Sequence, residues 1–300
     1  MLTATPETVE EIDRALRREG YLPTEEIATA VLLALHLGRP LLVEGPAGTG
    51  KTELAKALAR AMGARVIRLQ CHEAVDESRA LYEWDYRKQL LAIQAAGAER
   101  GAGEAVGLRD VYGEEFLLAR PLLESLRAED DAILLVDEVD RLGIEAEALL
   151  LELLAERQVT VPELGTIRAR RACPVLLTSN NSRELSEALR RRCLFLHVDY
   201  PDPERERAIV LDAVPGLDAD TADRVTTVVA TLRSLDLRKR PSVAETLDWA
   251  RSLLVLHRAG RAPDLDLDLD TVRRGLPLLL KSRHDIDLAT RALTDAAAVG

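Results

Sequence analysis

Pro40-Leu41-Leu42-Val43-Glu44-Gly45-Pro46-Ala47-Gly48-Thr49-Gly50-Lys51-Thr52 is the stretch on which the reading of this chain turns. An apolar run enters a glycine-rich segment that fills every fixed position of the pattern G-x-x-x-x-G-K-[ST]. Beyond it, Leu54, Ala55, Ala57, Leu58, Ala61 and Met62 recur at helical spacing. A buried strand, a glycine loop and an amphipathic helix form the context in which this pattern cradles phosphate. The glycines let successive N–H groups turn inward on phosphate oxygens, and the helix that begins near Lys51 points its positive end at the same place. Lys51 is predicted to reach the β and γ phosphates and Thr52 to give its hydroxyl to Mg²⁺. Gly45, Pro46, Ala47, Gly48, Thr49, Gly50, Lys51 and Thr52 are therefore the ATP-binding candidates, with ATP and Mg²⁺ as the implied cofactors.

A second stretch supplies the acids. Ile133-Leu134-Leu135-Val136 reads as a buried central strand, and Asp137 and Glu138 stand where it emerges. Asp137 is placed to hold Mg²⁺ through water, and Glu138 to polarise the attacking water as a general base. A switch GTPase positions that water with glutamine, so the acid pair points to a hydrolytic motor. Asp140 and Arg141 follow closely without an independent signal.

Outward from these motifs, Pro6–Leu37 reads as two helices, the second starting at Thr24 with Glu25 and Glu26 in its first turn. Further strands are expected at 65–70, 132–136, 174–179 and 194–198, with helical stretches between them, among them 144–157. Apolar strands alternating with amphipathic helices predict an α/β P-loop fold with a parallel sheet flanked by helices. The roughly sixty residues between the second and third strands exceed one crossover helix, so an insert is expected at about 71–116. Val159 and Val161 alternate with Thr160, Pro162-Glu163-Leu164-Gly165 turns, and Thr166-Ile167-Arg168 follows, which predicts a β-hairpin at about 158–168. After Pro201-Asp202-Pro203 the pattern is helical to the end, with a loop at 262–266. The boundary falls near 199–203, giving a nucleotide-binding domain over 1–200 and an all-helical lid domain over 201–300.

Composition narrows the function. The 300 residues are 47% hydrophobic but 3% aromatic, so the core is built from aliphatic side chains. Forty basic against 51 acidic residues leave a net charge of −11, a poor balance for general nucleic-acid binding. Cys71, Cys173 and Cys193 form no framework and read as reduced, buried thiols of a cytoplasmic protein. The opening residues carry neither a basic n-region nor an apolar h-region, and the apolar run at 27–37 is too short to span a bilayer.

With these motifs in place, nearly the whole chain resembles the AAA+ ATPases. Pro174-Val175-Leu176-Leu177-Thr178-Ser179-Asn180-Asn181 looks like the strand that ends in the sensor 1 residue, with Asn180 the best match and Asn181 next. Ala188-Leu189-Arg190-Arg191-Arg192-Cys193 stands where the family has its arginine finger. Arg192 matches best and Arg191 next, while a solvated basic turn or a nucleic-acid patch joined by Arg168, Arg170 and Arg171 are the competing readings. A finger acts on the neighbouring subunit's nucleotide, so the resemblance implies a homo-oligomer, a hexameric ring in this family. Tyr21 and Leu22 are candidates for the adenine pocket, against packing beneath the sheet.

The hairpin before the sensor 1 strand is similar to that of the pre-sensor 1 insertion clade. Leu69-Gln70-Cys71-His72-Glu73, Ala80-Leu81-Tyr82-Glu83-Trp84-Asp85-Tyr86 and the segment from Arg240 to Ala250 resemble MoxR-family ATPases of the CoxD-like kind. That resemblance implies a chaperone that works with a von Willebrand A (VWA) domain adaptor, and a metalloenzyme client whose cofactor is being installed. A nucleic-acid-dependent motor and a chelatase-like metal-insertion subunit are the alternatives. The chain departs from the pattern after Pro241, where Ser242-Val243-Ala244-Glu245 holds no sensor 2 arginine. Arg238, Lys239 and Arg240 are the nearby substitutes, and sensor 2 stays unassigned.

Overall fold

The computed structural model describes residues 6–100, 112–258 and 269–299. The loop expected at 262–266 and part of the expected insert, 101–111, lie outside the described residues. Two compact units emerge. One comprises 1–19, 23–44 and 51–197; the other comprises 20–22, 45–50 and 198–300.

The first unit opens with α1 (Val9–Arg18) and α2 (Glu25–Leu37). Thr24 caps α2 by accepting the Ile27 N–H, and Gly38 ends it in the left-handed conformation. There follow β1 (Leu41–Glu44), α3 (Lys51–Ala61), β2 (Arg65–Gln70), α4 (Glu77–Ala80), β3 (Tyr82–Trp84), α5 (Tyr86–Arg100), β4 (Leu117–Ala119) and α6 (Pro121–Arg127). The unit closes with β5 (Ala132–Asp137), α7 (Ile144–Glu156), β6 (Gln158–Val161), β7 (Gly165–Arg168), β8 (Val175–Ser179), α8 (Glu187–Arg192) and β9 (Leu194–His197).

Five strands form one sheet in the order β2-β5-β8-β1-β9, and every pairing is parallel. Helices α2, α3 and α6 pack on it. All six residues of β5 and all four of β1 are buried, which is why these strands read as continuous apolar runs. Each fully buried Leu, Ile or Val there contributes about 1.5–3 kcal/mol relative to exposure. In a parallel sheet of this kind, ligands sit beyond the carboxyl ends of the strands. Those ends carry Glu44, Asp137 and Ser179.

The expected hairpin is present as β6 and β7, antiparallel with Val159 opposite Ile167. The insert contains a second ladder beyond the expected hairpin: β3 pairs antiparallel with β4, Tyr82 opposite Ala119 and Trp84 opposite Leu117. Its partners stand more than thirty residues apart, beyond the reach of a hairpin pattern, so local pattern could not join them. The Trp84 ring fixes this corner, edge-on to Tyr82 at 6.0 Å and to Tyr112 at 5.0 Å.

The long segment of the second unit is helical: α9 (Pro203–Ala213), α10 (Ala219–Ser234), α11 (Val243–Arg258), α12 (Leu269–Leu279) and α13 (Arg283–Val299). Asp202 and Asp218 cap α9 and α10. Fully buried Trp249 sits in this core, so close to Gly275 that any β-carbon there would meet its indole. Buried Glu206 receives both terminal nitrogens of Arg233 and the Thr246 hydroxyl, while Arg233 Nε donates to the Pro241 carbonyl at 2.8 Å. The fold is thus a P-loop-type parallel sheet flanked by helices, followed by an all-helical C-terminal region.

Candidate functional site

Register brings the acidic residues to their partners. Val136 of β5 lies opposite Leu177 of β8, so Asp137 meets Thr178 one step later. The Thr178 hydroxyl donates to Asp137 Oδ1 at 2.5 Å and accepts the Glu138 N–H at 2.9 Å. Thr52 Oγ1, in the first turn of α3, donates to the same Oδ1 at 2.9 Å. Arg68 of β2 donates from Nε to Oδ2 at 3.1 Å. Burial pushes the Asp137 carboxyl up, but hydrogen bonds from Thr178, Arg68 and Thr52 outweigh it and hold the group below the ordinary carboxylate range. A threonine hydroxyl beside an ionised carboxylate oxygen is the donor chemistry a hard divalent cation takes, so these residues fit Mg²⁺.

Glu138 has φ 56°, in the left-handed region. For a non-glycine residue this costs about 1–2 kcal/mol, and such strain clusters at working sites. Its carboxylate lies 3.4 Å from Asn180 Nδ2 and 3.4 Å from Arg141 Nη1. Asn180 in turn accepts from Lys51 Nζ at 2.9 Å. The structure therefore brings Asn180 between Lys51 and Glu138, while Asn181 is exposed. Burial lowers the pKa of Lys51, against the opposing pull of Asp140, Asp137, Glu138 and Glu44.

Asp140 gave no sequence signal, yet it is only 2% exposed and takes the backbone N–H groups of Asn180 and Ser182 and the Ser182 hydroxyl. Thr178 and Arg68 likewise carry no signal of their own in the sequence. A threonine in a strand and an arginine at a sheet edge are ordinary residues until register puts them on Asp137.

The three arginines of α8 have different fates. Arg190 pairs with buried Glu44 at 3.0 Å and lies over the Phe195 ring at 5.9 Å. Arg191 pairs with Glu187 on its own helix, both exposed. Arg192 is exposed and donates to the Ala188 carbonyl at 3.1 Å. Arg190 is thus committed within the chain, and Arg191 and Arg192 face solvent.

The glycine loop Gly45–Gly50 groups with the helical unit. Gly48 takes φ +78°, and a β-carbon there would stand 2.1 Å from that of Ser242. Its carbonyl accepts the Val243 N–H at 3.2 Å. A β-carbon on Gly45 would stand 1.9 Å from the Val198 carbonyl oxygen. Ser242 and Glu245 cap α11 reciprocally: Ser242 N–H donates to Glu245 Oε2 at 2.7 Å and Glu245 N–H to Ser242 Oγ at 3.3 Å. The Thr49 hydroxyl donates to the Pro46 carbonyl at 3.1 Å. Buried Tyr21 lies within 3.6 Å of the β-carbon position of Gly50, and the Leu22 carbonyl accepts from Arg205. Of the sensor 2 substitutes, Lys239 is paired with Glu245, and Arg238 and Arg240 are exposed.

Comparison with known proteins agrees with this geometry. Residues 41–199 match the family model described as the ATPase family associated with various cellular activities (AAA). The gas vesicle ATPase GvpN of Ancylobacter aquaticus is 27% identical over 85% of this chain and 71% of its own length. GvpN of Haloferax mediterranei is 25% identical over 72% of this chain and 63% of its own. The proteasome-activating nucleotidase of Methanopyrus kandleri is 25% identical over 82% of this chain and 48% of its own. Among solved structures, a mutant RuvB from Thermotoga maritima aligns with a TM-score of 0.51 at 16% identity, covering 92% of this chain and 74% of that one, a likeness of fold. Among the described residues no helix is long and apolar enough to cross a membrane. A family model spanning 41–199, over a parallel sheet whose strand ends carry Asp137, Glu138 and Asn180, places this chain in the AAA family of ATPases.

Proposed function

We propose that this chain is a remodelling motor that binds ATP on the loop 45–52 and hydrolyses it with Glu138 as the base. The observation that carries the reading is the chain of contacts Lys51–Asn180–Glu138 beside Thr52–Asp137–Thr178. In this reading Lys51 binds the β and γ phosphates, and the loop's N–H groups and the start of α3 hold the rest of the triphosphate. Thr52 and Asp137 would hold Mg²⁺, which neutralises charge on the phosphates. Glu138 takes the proton of the attacking water, and Asn180 orients that water against the γ phosphate. Tyr21 and Leu22 line the adenine side. Residues 1–200 act as the nucleotide-binding domain and 201–300 as the lid.

Exposed Arg192 is the group a neighbouring subunit would use, so the working form is a ring with sites shared between subunits, hexameric on the family pattern. The resemblance to MoxR-family, CoxD-like proteins supports the finer assignment: a cytoplasmic chaperone acting with a VWA-domain adaptor to install a metal cofactor in a client enzyme. The test is ATPase activity against protein concentration, with particle mass followed with and without ATP and Mg²⁺. Specific activity that rises as a ring assembles supports shared sites. A monomer turning over at full rate removes Arg192 from the reaction. Co-purification with a VWA protein tests the finer assignment, and a different adaptor class overturns it.

A further inference from the structure

Helix α8 has six residues, too few to hold its own position, so whatever fastens it decides where Arg191 and Arg192 point. Its N-cap is Ser186, whose Oγ accepts the Leu189 N–H at 3.3 Å. The Ser186 N–H is itself taken by Glu147 Oε1 at 3.2 Å. Glu147 stands in the first turn of α7 and is 4% exposed. Its other oxygen receives Arg183 Nη2 at 3.2 Å. The same guanidinium donates to the Leu142 carbonyl at 2.8 Å and, from Nε, to the Asp140 carbonyl at 3.4 Å. Asp140 holds the backbone of Asn180 and Ser182.

The segment 180–186 is therefore hung at both ends on two buried carboxylates, Asp140 on the β5–α7 connection and Glu147 in the first turn of α7. It begins at the residue that touches Lys51 and Glu138, and it ends at the cap of the helix that carries Arg192. The far end of α8 is fastened as well: Arg39 donates to the carbonyls of Arg191 at 2.8 Å, Arg192 at 3.3 Å and Cys193 at 3.2 Å.

We propose that Arg183 and Glu147, with Asp140, are positioning residues that fix α8 against the chain's own hydrolytic site, so that Arg192 is presented to the neighbouring subunit in one geometry. This rests on Arg192 acting across a subunit boundary. Arg183 and Glu147 touch neither nucleotide nor water in this scheme and work through Arg192. A guanidinium that reaches a neighbour's phosphate must arrive within an ångström of its place, and a misplacement of that size costs about 100-fold. Arg183 Nη2 is shared between a carbonyl and a carboxylate, so a neutral side chain of similar length removes both anchors at once.

The test uses mixed oligomers of the full chain, in which the two functions sit on different protomers. The host is Arg192→Ala, with an intact site and no finger. The guest is Glu138→Gln, with a finger and no turnover. Turnover in the mixture comes from host sites served by guest fingers. The guest is then also given Arg183→Met, or separately Glu147→Gln. Guest assembly is checked by mass and its nucleotide binding with a fluorescent ATP analogue. The expected result is that the doubly substituted guests assemble and bind nucleotide as before but restore at least about tenfold less host turnover than Glu138→Gln alone. Arg183→Lys, which keeps a charge but loses the fork, is expected to fall between. Guests that restore turnover as well as Glu138→Gln alone overturn the proposal. If Glu138→Gln alone restores nothing, the finger assignment fails instead, and the strut falls with it. Arg183 is exposed, so its truncation is unlike a core deletion, and Glu147→Gln gives a second, nearly isosteric reading.

Discussion

Thr178→Val keeps the shape of a side chain that is 2% exposed and removes only its hydroxyl. That hydroxyl has two duties: it donates to Asp137 and it accepts from the Glu138 N–H. Losing a hydrogen bond to an ionised group costs about 1.5–3 kcal/mol, and leaving a part-buried N–H unmet costs about 1–2 kcal/mol. The added methyl returns about 0.8 kcal/mol, and Thr52 and Arg68 still serve Asp137, so the net loss is expected near 3 kcal/mol. The sign with pH follows from Asp137, whose folded pKa lies below its unfolded value. Its contribution is present above the unfolded pKa of about 3.9 and is lost as pH falls through the folded one. The stability gap between the two proteins should therefore be widest near neutrality and narrow on acidification. Turnover should fall about 10–100-fold, because Glu138 loses the contact that holds its left-handed backbone in place, while KM should change less. Urea unfolding at neutral and acid pH, with steady-state ATPase at saturating ATP, gives both numbers. Turnover within twofold of the parent would refute the claim that Thr178 sets the position of Glu138.

Glu138→Gln should bind ATP with near-parent affinity and lose turnover by at least about 100-fold, since the geometry remains and the base is gone; near-normal hydrolysis would remove Glu138 from that role. Arg233→Met should lower stability by about 3–5 kcal/mol, because the buried Glu206 carboxylate loses a two-pronged partner; a loss below about 1 kcal/mol in urea unfolding would mean that Glu206 does not depend on Arg233 for its charge balance. Burial pushes the thiol of Cys71 up to about 12 and those of Cys173 and Cys193 up to about 11. All three should resist iodoacetamide at pH 8 in the native protein and react after denaturation; rapid labelling of any one in the native state would contradict its packing.

The parts legible in the sequence are those whose chemistry is carried by neighbours along the chain. The loop 45–52, the acid pair at the end of β5 and the hairpin of β6 and β7 announce themselves within a dozen residues, because a phosphate cradle, a buried strand and a two-strand turn are local objects. The parallel sheet could be foreseen as a class from alternating strands and helices, but not its order, since β1 lies between β8 and β9, elements far away in the chain. The ladder of β3 with β4 was hidden for the same reason.

The site divides along the same line. Asp137 could be named from its strand, yet what keeps it ionised is supplied by Thr178, Arg68 and Thr52, from three other elements. The run Arg190-Arg191-Arg192 looks uniform as sequence, and only the fold separates its members, because Glu44 is buried and Arg190 pairs with it. A buried carboxylate left without that cation would be costly, so Arg190 is held by its own chain and is a poor candidate to reach another. That leaves the two arginines at the exposed end of α8, with Arg39 closing the helix behind them by binding its last carbonyls. Exchanging Arg190 for Ala should therefore weaken folding of the single chain, whereas exchanging Arg192 for Ala should leave folding intact and affect only the assembled form. The contrast between those two variants, measured as unfolding midpoint against concentration-dependent turnover, separates a structural arginine from a functional one that three identical residues in a row do not tell apart.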